Sequence, residues 1–162
     1  MELKEYGRAV VDLDEAIRID EANGRDFLVA NTMIQRARVR LRQGRYSQAL
    51  ADVSRATQMS PQDARAPDLL ARILATCPEA EYRDGDRAVN LAVRACELTA
   101  WKDPAKLNTL AAAKAESGDF EAAIIWQTRA NPLFNQDKDT SDGLARLRLY
   151  RSRLPYRETK PK

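Results

Sequence analysis

The sequence contains no histidine and only two cysteines, Cys77 and Cys96. Without histidine, neither a Ser–His nor a Cys–His catalytic pair can form. The two cysteines fit neither a CxxC motif nor a zinc-binding spacing. The chain also lacks GxSxG, GxGxxG and P-loop GKS or GKT motifs. We therefore predict that the protein is not an enzyme and has no catalytic residues, no cofactor and no metal site.

The chain has no apolar run of the ~20 residues that a membrane span requires. Its start, MELKEYGRAVVDLDEAIRIDE, is acidic and amphipathic, unlike a signal or transit peptide. Cys77 and Cys96 are expected on successive antiparallel helices, about 15 Å apart, whereas a disulfide needs Cα atoms within about 7 Å. We expect two free thiols, no membrane association and a cytoplasmic location.

Acidic residues cluster in the segment PEAEYRDGD, which invites a calcium-loop interpretation. The segment lacks the D-x-D-x-D-G spacing and the closing glutamate of such a loop. We instead predict a surface loop in which Asp84 or Asp86 caps a helix that starts near Arg87. Trp101 and Trp126 are expected to pack between helices rather than to hold a ligand.

Pairs of alanines seven residues apart indicate an internal repeat. The first members of successive pairs are 40, 39 and 35 residues apart, and the pairs are Ala9/Ala16, Ala49/Ala56, Ala88/Ala95 and Ala123/Ala130. An aromatic residue lies three positions before the first alanine in three units, as Tyr6, Tyr46 or Phe120. Positions i, i+4 and i+7 share one helical face, and alanine there lets another helix approach closely. Gly44 and Gly118 fit turns that end a preceding helix.

Each unit also needs a first helix, and three segments supply one: 30–43, 66–77 and 105–117. No first helix precedes Tyr6. The chain therefore opens on a second helix and could be part of a longer chain. The last segment places Leu144, Leu147 and Leu154 at helical spacing and is expected to cover the final repeat.

This pattern resembles the tetratricopeptide repeat, a helix–turn–helix unit of ~34 residues that stacks into a superhelix. Residues 30–63 match it without gaps, and LNTLAAAKAESGDFEAAIIWQ and LRLYRSRLPYRE look like a bacterial subgroup of the family. The resemblance implies an all-α fold: a right-handed superhelix of stacked antiparallel helix pairs with a C-terminal capping helix. We expect one domain, 1–162, divided into a half-repeat 1–21, repeats 30–61, 64–99 and 104–131, and a capping helix 138–154.

The resemblance also implies a function, because first helices of this family line a concave groove that binds partner peptides. We expect a non-catalytic interaction module or scaffold whose partner is a protein or peptide. An acidic partner would suit the arginines, since guanidinium groups hold carboxylates well. The residues placed in or beside the groove are Asn31, Ile34, Arg38, Arg42, Arg65, Asp68, Arg72 and Asn108.

Two alternatives remain open. The arginine-rich helix could bind nucleic acid or another polyanion, but no aromatic residues are interleaved with the arginines as stacking platforms, so nucleic acid is the less favoured partner. The array could instead be a structural spacer that self-associates through the N-terminal half-repeat.

Overall fold

The structure, a computed structural model, describes residues 2–133 and 137–161. These residues form eight α-helices, two short 3-10 turns and no strand. The all-α prediction is confirmed, whereas Met1 and Lys162, the ends of the predicted domain, lie outside the described residues. The helices are α1 (Glu2–Ala22), α2 (Asp26–Arg42), α3 (Tyr46–Met59), α4 (Arg65–Thr76), α5 (Gly85–Leu98), α6 (Pro104–Glu116), α7 (Phe120–Ala130) and α8 (Asp137–Arg151).

Each helix packs against the next one along the chain, and α4 also contacts α2 and α6. The first helices α2, α4 and α6 therefore lie side by side. The second helix α3 packs against both α2 and α4, and α5 packs against both α4 and α6. The helix predicted at 30–43 starts earlier, at Asp26, and the helix predicted at 138–154 ends at Arg151.

The same tight turn joins α1 to α2, α2 to α3 and α6 to α7. In the second of these, Gly44 has φ +72° and the amide of Arg45 donates to the carbonyl of Arg40 at 2.8 Å. In the third, Gly118 has φ +87° and the amide of Asp119 donates to Lys114 at 2.9 Å. This six-residue closure with a left-handed residue ends a helix cleanly, so the predicted role of the two glycines is confirmed.

The longer connection between α4 and α5 is folded against α6. Its Arg83 guanidinium donates to the carbonyl of Cys77 at 2.8 Å and to the Glu116 carboxylate at 3.1 Å. Asp84 accepts from the amide of Arg87 at 3.0 Å and caps α5, as predicted for one of the two aspartates. The acidic loop therefore serves to start a helix.

Alanine seams hold the helices together. The alanine pairs of the second, third and fourth units are all 0 % exposed, whereas Ala9 and Ala16 on α1 are half-buried. Trp101 and Trp126 stack with ring centroids 5.1 Å apart beside this core, as expected for residues between helices. Cys77 and Cys96 are free and buried, as predicted.

A buried carboxylate links the first three helices. Asp52 on α3 is 5 % exposed and receives two hydrogen bonds from Arg36, at 2.6 and 3.0 Å, and one from Arg40, at 2.6 Å. Arg36 also donates to Asp14 on α1 at 2.6 Å. Two arginines of α2 are thus committed to holding the fold together.

The inner face of α8 differs from the predicted one. Leu147 and Tyr150 are buried, but Leu144 and Leu154 are exposed, so the expected leucine stripe is wrong at two of its three positions. Leu154 lies beyond the end of the helix, and Gly143, Leu147 and Tyr150 share the buried face at i, i+4 and i+7.

Replacing Asp52 by Asn should lower the free energy of unfolding by about 3 kcal/mol, because two largely buried guanidiniums lose their shared counter-charge. Urea denaturation followed by circular dichroism measures this. Arg55→Ala is the control: its pair with Glu21 is exposed and should change stability by under about 0.5 kcal/mol. A loss below about 1 kcal/mol for Asp52→Asn would contradict the structural role of the cluster.

Gly85→Ala should lower stability by about 1–3 kcal/mol. A Cβ at Gly85 would lie 2.6 Å from the amide nitrogen of Ser117 and 2.8 Å from the carbonyl carbon of Glu116, so α5 and α6 would have to separate. Gly7→Ala, with no atom within 4 Å of its new Cβ, should instead gain about 0.5–1 kcal/mol. Thermal unfolding of both variants tests the pair, and equal Tm shifts would refute the close approach.

Stability should fall between pH 10 and 12 because of Tyr150. Burial raises the pKa of this side chain to about 12 from an ordinary value of 10.0, so the unfolded chain releases the proton first and is favoured as pH rises. The loss approaches about 2–3 kcal/mol. Urea denaturation at several pH values should show a shallower alkaline decline for Tyr150→Phe, and identical declines would contradict this.

Candidate partner-binding site

The predicted groove residues all lie on α2, α4 and α6, which contact one another through α4. The surface formed by Arg38 and Arg42 of α2, Arg72 of α4 and Asn108 of α6 is called here the first-helix face. These four side chains are exposed or half-buried. The other four predicted residues have different surroundings.

Arg38 and Arg42 are the accessible cations of α2. Both are exposed, and neither makes a hydrogen bond or ion pair with any residue that the structure describes. Asn31, seven residues before Arg38, receives a hydrogen bond from Arg65 of α4 at 2.9 Å. The seven- and four-residue spacings place Asn31, Arg38 and Arg42 along the side of α2 that is turned towards α4.

Ile34 does not lie at the edge of a groove, as the sequence suggested. Its side chain is 0 % exposed and belongs to the main hydrophobic core with Val29 and Met33. Ile34 packs in this core together with its helix neighbours Met33 and Ala37. Ile34 therefore offers no contact to a partner.

The charge of Arg65 is neutralised by Asp63, which lies just before the start of α4. Its guanidinium donates to both oxygens of Asp63, with the shortest contact at 2.7 Å, as well as to Asn31. The hydrogen bonds from Arg65 lower the pKa of Asp63 below its ordinary value. The pair links the start of α4 to α2, and leaves little of the Arg65 charge for a ligand.

Asp68 is paired with Lys106, a residue that no sequence pattern singled out. Its carboxylate lies 3.5 Å from the Lys106 ammonium, which also lies 3.2 Å from Asp103. Burial raises the pKa of Asp68, and one of its oxygens is buried without a hydrogen-bond partner among the described residues. A lysine one turn into α6 could be predicted to meet α4 only once the helices were placed side by side.

Arg72 contacts the C-terminal segment, residues 155–161, which is called here the tail, and Asn108 contacts α8. The Arg72 guanidinium lies 3.7 Å from the Glu158 carboxylate. Asn108 accepts a hydrogen bond from Arg146 of α8 at 3.4 Å, and the Arg146 guanidinium lies 3.9 Å from the centre of the Tyr156 ring. No sequence pattern indicated that the tail would contact Arg72 or that α8 would contact Asn108.

Two open clefts lie away from Arg38 and Arg42. One, of about 440 Å³, is lined by Phe27 of α2, by Arg65 and by residues 60–63; the Phe27 side chain is 61 % exposed. The other, of about 480 Å³, lies on α1 beside Gly7 and Val11, on the half-repeat through which self-association was expected. Both clefts are lined mostly by apolar surface.

The described residues 2–133 and 137–161 contain no helix long and apolar enough to cross a membrane. They also bring together no group of three or more potential metal ligands. No protein-family model matches the sequence, and no curated protein matches it.

Proposed function

We propose that this protein is a non-catalytic interaction module that binds an acidic segment of a partner protein through Arg38 and Arg42. The observation that carries the proposal is the contrast within α2. Arg36 and Arg40 are held by Asp14 and Asp52, whereas Arg38 and Arg42 are exposed and four residues apart.

The geometry of the two arginines suits an extended acidic peptide. Residues four apart on a helix are separated by about 6 Å along its axis, close to the ~7 Å between alternate residues of an extended chain. A peptide with carboxylates at alternate positions could therefore engage both guanidiniums, each through two parallel hydrogen bonds. The proposal includes the tetratricopeptide-like right-handed superhelix, in which α2, α4 and α6 line the concave side, and a cytoplasmic, reducing environment for the free thiols.

The polyanion alternative loses support from the same contrast. Of the arginines in the stripe 36–45, two are paired with buried or partly buried carboxylates. The remaining charge is small for nucleic acid, whose binding relies on many phosphate contacts. Self-association through the exposed Val11 on α1 remains a competing possibility that the experiment below distinguishes.

Changing Arg38 and Arg42 together to Glu should reduce affinity for an acidic partner at least tenfold, or about 1.4 kcal/mol. The purified protein is used as bait in a lysate with and without nuclease treatment, captured proteins are identified, and their acidic segments are made as peptides for titration. Arg87→Glu with Arg94→Glu is the matched control, because it places the same charge change on the exposed side of α5 and should keep the affinity.

Unchanged affinity in the Arg38/Arg42 variant would reject the site. Capture that disappears with nuclease would favour the polyanion alternative. Sedimentation that shows a dimer sensitive to Val11→Asp would favour self-association.

A further inference from the structure

The tail runs back across the ends of α4 and α6 as an extended segment. The amide of Glu158 donates to the carbonyl of Thr76 at 2.9 Å, and the Arg157 guanidinium donates to the carbonyl of Ala75 at 3.3 Å. These are carbonyls of the last turn of α4, which have no partner within the helix. The tail thus binds the first helices through main-chain acceptors, as a bound peptide would.

Four side chains of the tail meet complementary groups. Arg157 lies 2.5 Å from Glu116 of α6, and Lys160 lies 2.6 Å from Glu79. Tyr156 packs beside Ala111 and Ala115 and under the Arg146 guanidinium, and Glu158 faces Arg72. The surface therefore accepts an aromatic, a basic and an acidic residue in succession along an extended chain.

The entry of the tail is set by the turn after α8. Arg153 has φ +55°, and the amide of Leu154 donates to Leu149 at 2.9 Å. This is the turn that glycines make elsewhere in the chain, formed here by an arginine. It directs the chain back over α6 and α4 with only residues 152–154 as a linker.

The tail is held less firmly than the helices that it covers. Residues 155–158 are half-buried and residues 159–161 are exposed, so no side chain of the tail is fully buried. Its ion pairs to Arg72 and Glu79 join partly exposed groups, which contribute little to stability. By contrast, Leu147 and Tyr150 anchor α8 in the core. Segments with few buried contacts open at lower free energy than the domain unfolds.

A short linker can keep such a weak ligand in place. A tethered segment has an effective concentration in the millimolar range, so an intrinsic dissociation constant of about 0.05 mM keeps it bound for more than nine-tenths of the time. A partner peptide of higher affinity would displace it without unfolding the helices.

We propose that residues 155–161 are a displaceable internal ligand of the surface formed by Arg72, the last turn of α4 and Glu116 of α6, and that a partner's extended segment with an aromatic–basic–acidic order takes their place. The proposal rests on the proposed function for the existence of a partner. It adds that release of the tail frees Arg72 on α4, the helix that contacts the α2 of Arg38 and Arg42, and leaves Glu116 with Arg83 as its only cation among the described residues. The displacing segment must therefore supply both a carboxylate and a cation.

The first test uses the full chain with no partner and measures amide hydrogen exchange by NMR. The amide of Glu158 should exchange at least a hundredfold faster than the amides in the middle of α4, and Arg157→Ala should accelerate it at least a further threefold. Arg151→Ala is the matched control, because Arg151 is an exposed arginine of α8 that makes no ion pair within the part of the chain that the structure describes, and it should leave the rate unchanged. Equal protection of Glu158 and α4 would overturn the proposal, because the tail would then be part of the folded core.

The second test asks whether the same surface accepts the segment in trans. The probe is a fluorescent peptide of residues 154–162, LPYRETKPK, and the binding partners are the 162-residue chain and its Arg157→Ala variant. The variant should bind at least tenfold more tightly than the wild type, since its own tail competes less well, and Glu116→Gln added to the variant should weaken binding at least fivefold. A scrambled peptide of the same composition should not bind.

Equal binding to wild type and variant, or binding of the scrambled peptide, would overturn the proposal. Both tests are independent of Arg38 and Arg42: the Arg38→Glu/Arg42→Glu variant should retain wild-type exchange at Glu158. Loss of partner capture with unchanged tail exchange would therefore bear on the proposed function alone.

Discussion

The contact between Asp52 and the guanidiniums of Arg36 and Arg40 is the interaction on which the N-terminal half of the molecule depends. It joins α2 to α3 and, through Asp14, to α1. A buried charge is tolerated only where opposite charge and hydrogen bonds surround it, so the three helices are held in one relative register. The same contact divides the arginines of α2 into two sets, one internal and one external.

That division explains why composition alone describes this surface poorly. A run of arginines in the sequence suggests a continuous basic stripe. On the helix, however, Arg36 and Arg40 face α3, whereas Arg38 and Arg42 face solvent. Two of the five guanidiniums in the run 36–45 are paired with carboxylates. On α2 itself the external charge is a pair of guanidiniums on adjacent turns, a pattern that distinguishes one extended ligand from a general polyanion more sharply than a stripe would.

The helices and their turns were predictable from sequence because they depend on local rules. Alanine spacing, glycine at the helix ends and Asp84 as a cap act within a few residues, and the structure places each as expected. Boundaries and faces were less predictable: α2 starts at Asp26, and the inner face of α8 is formed by Leu147 and Tyr150. Ile34, Lys106 and the tail contacts depend on which helices lie side by side over more than thirty residues, which no local pattern specifies.

The fully buried alanine pairs have a consequence for how this surface could change over time. Alanine contributes almost no side chain to a contact, so the separation of two helices at a seam is set by their backbones. A substitution by serine, cysteine or valine at one of these alanines would increase the distance between the two helices by an amount that grows with side-chain volume. It would therefore tilt one helix pair relative to the next. Because α2, α4 and α6 carry the first-helix face, substitutions at these buried alanines could adjust the shape of that face, while every residue that contacts a ligand stays the same.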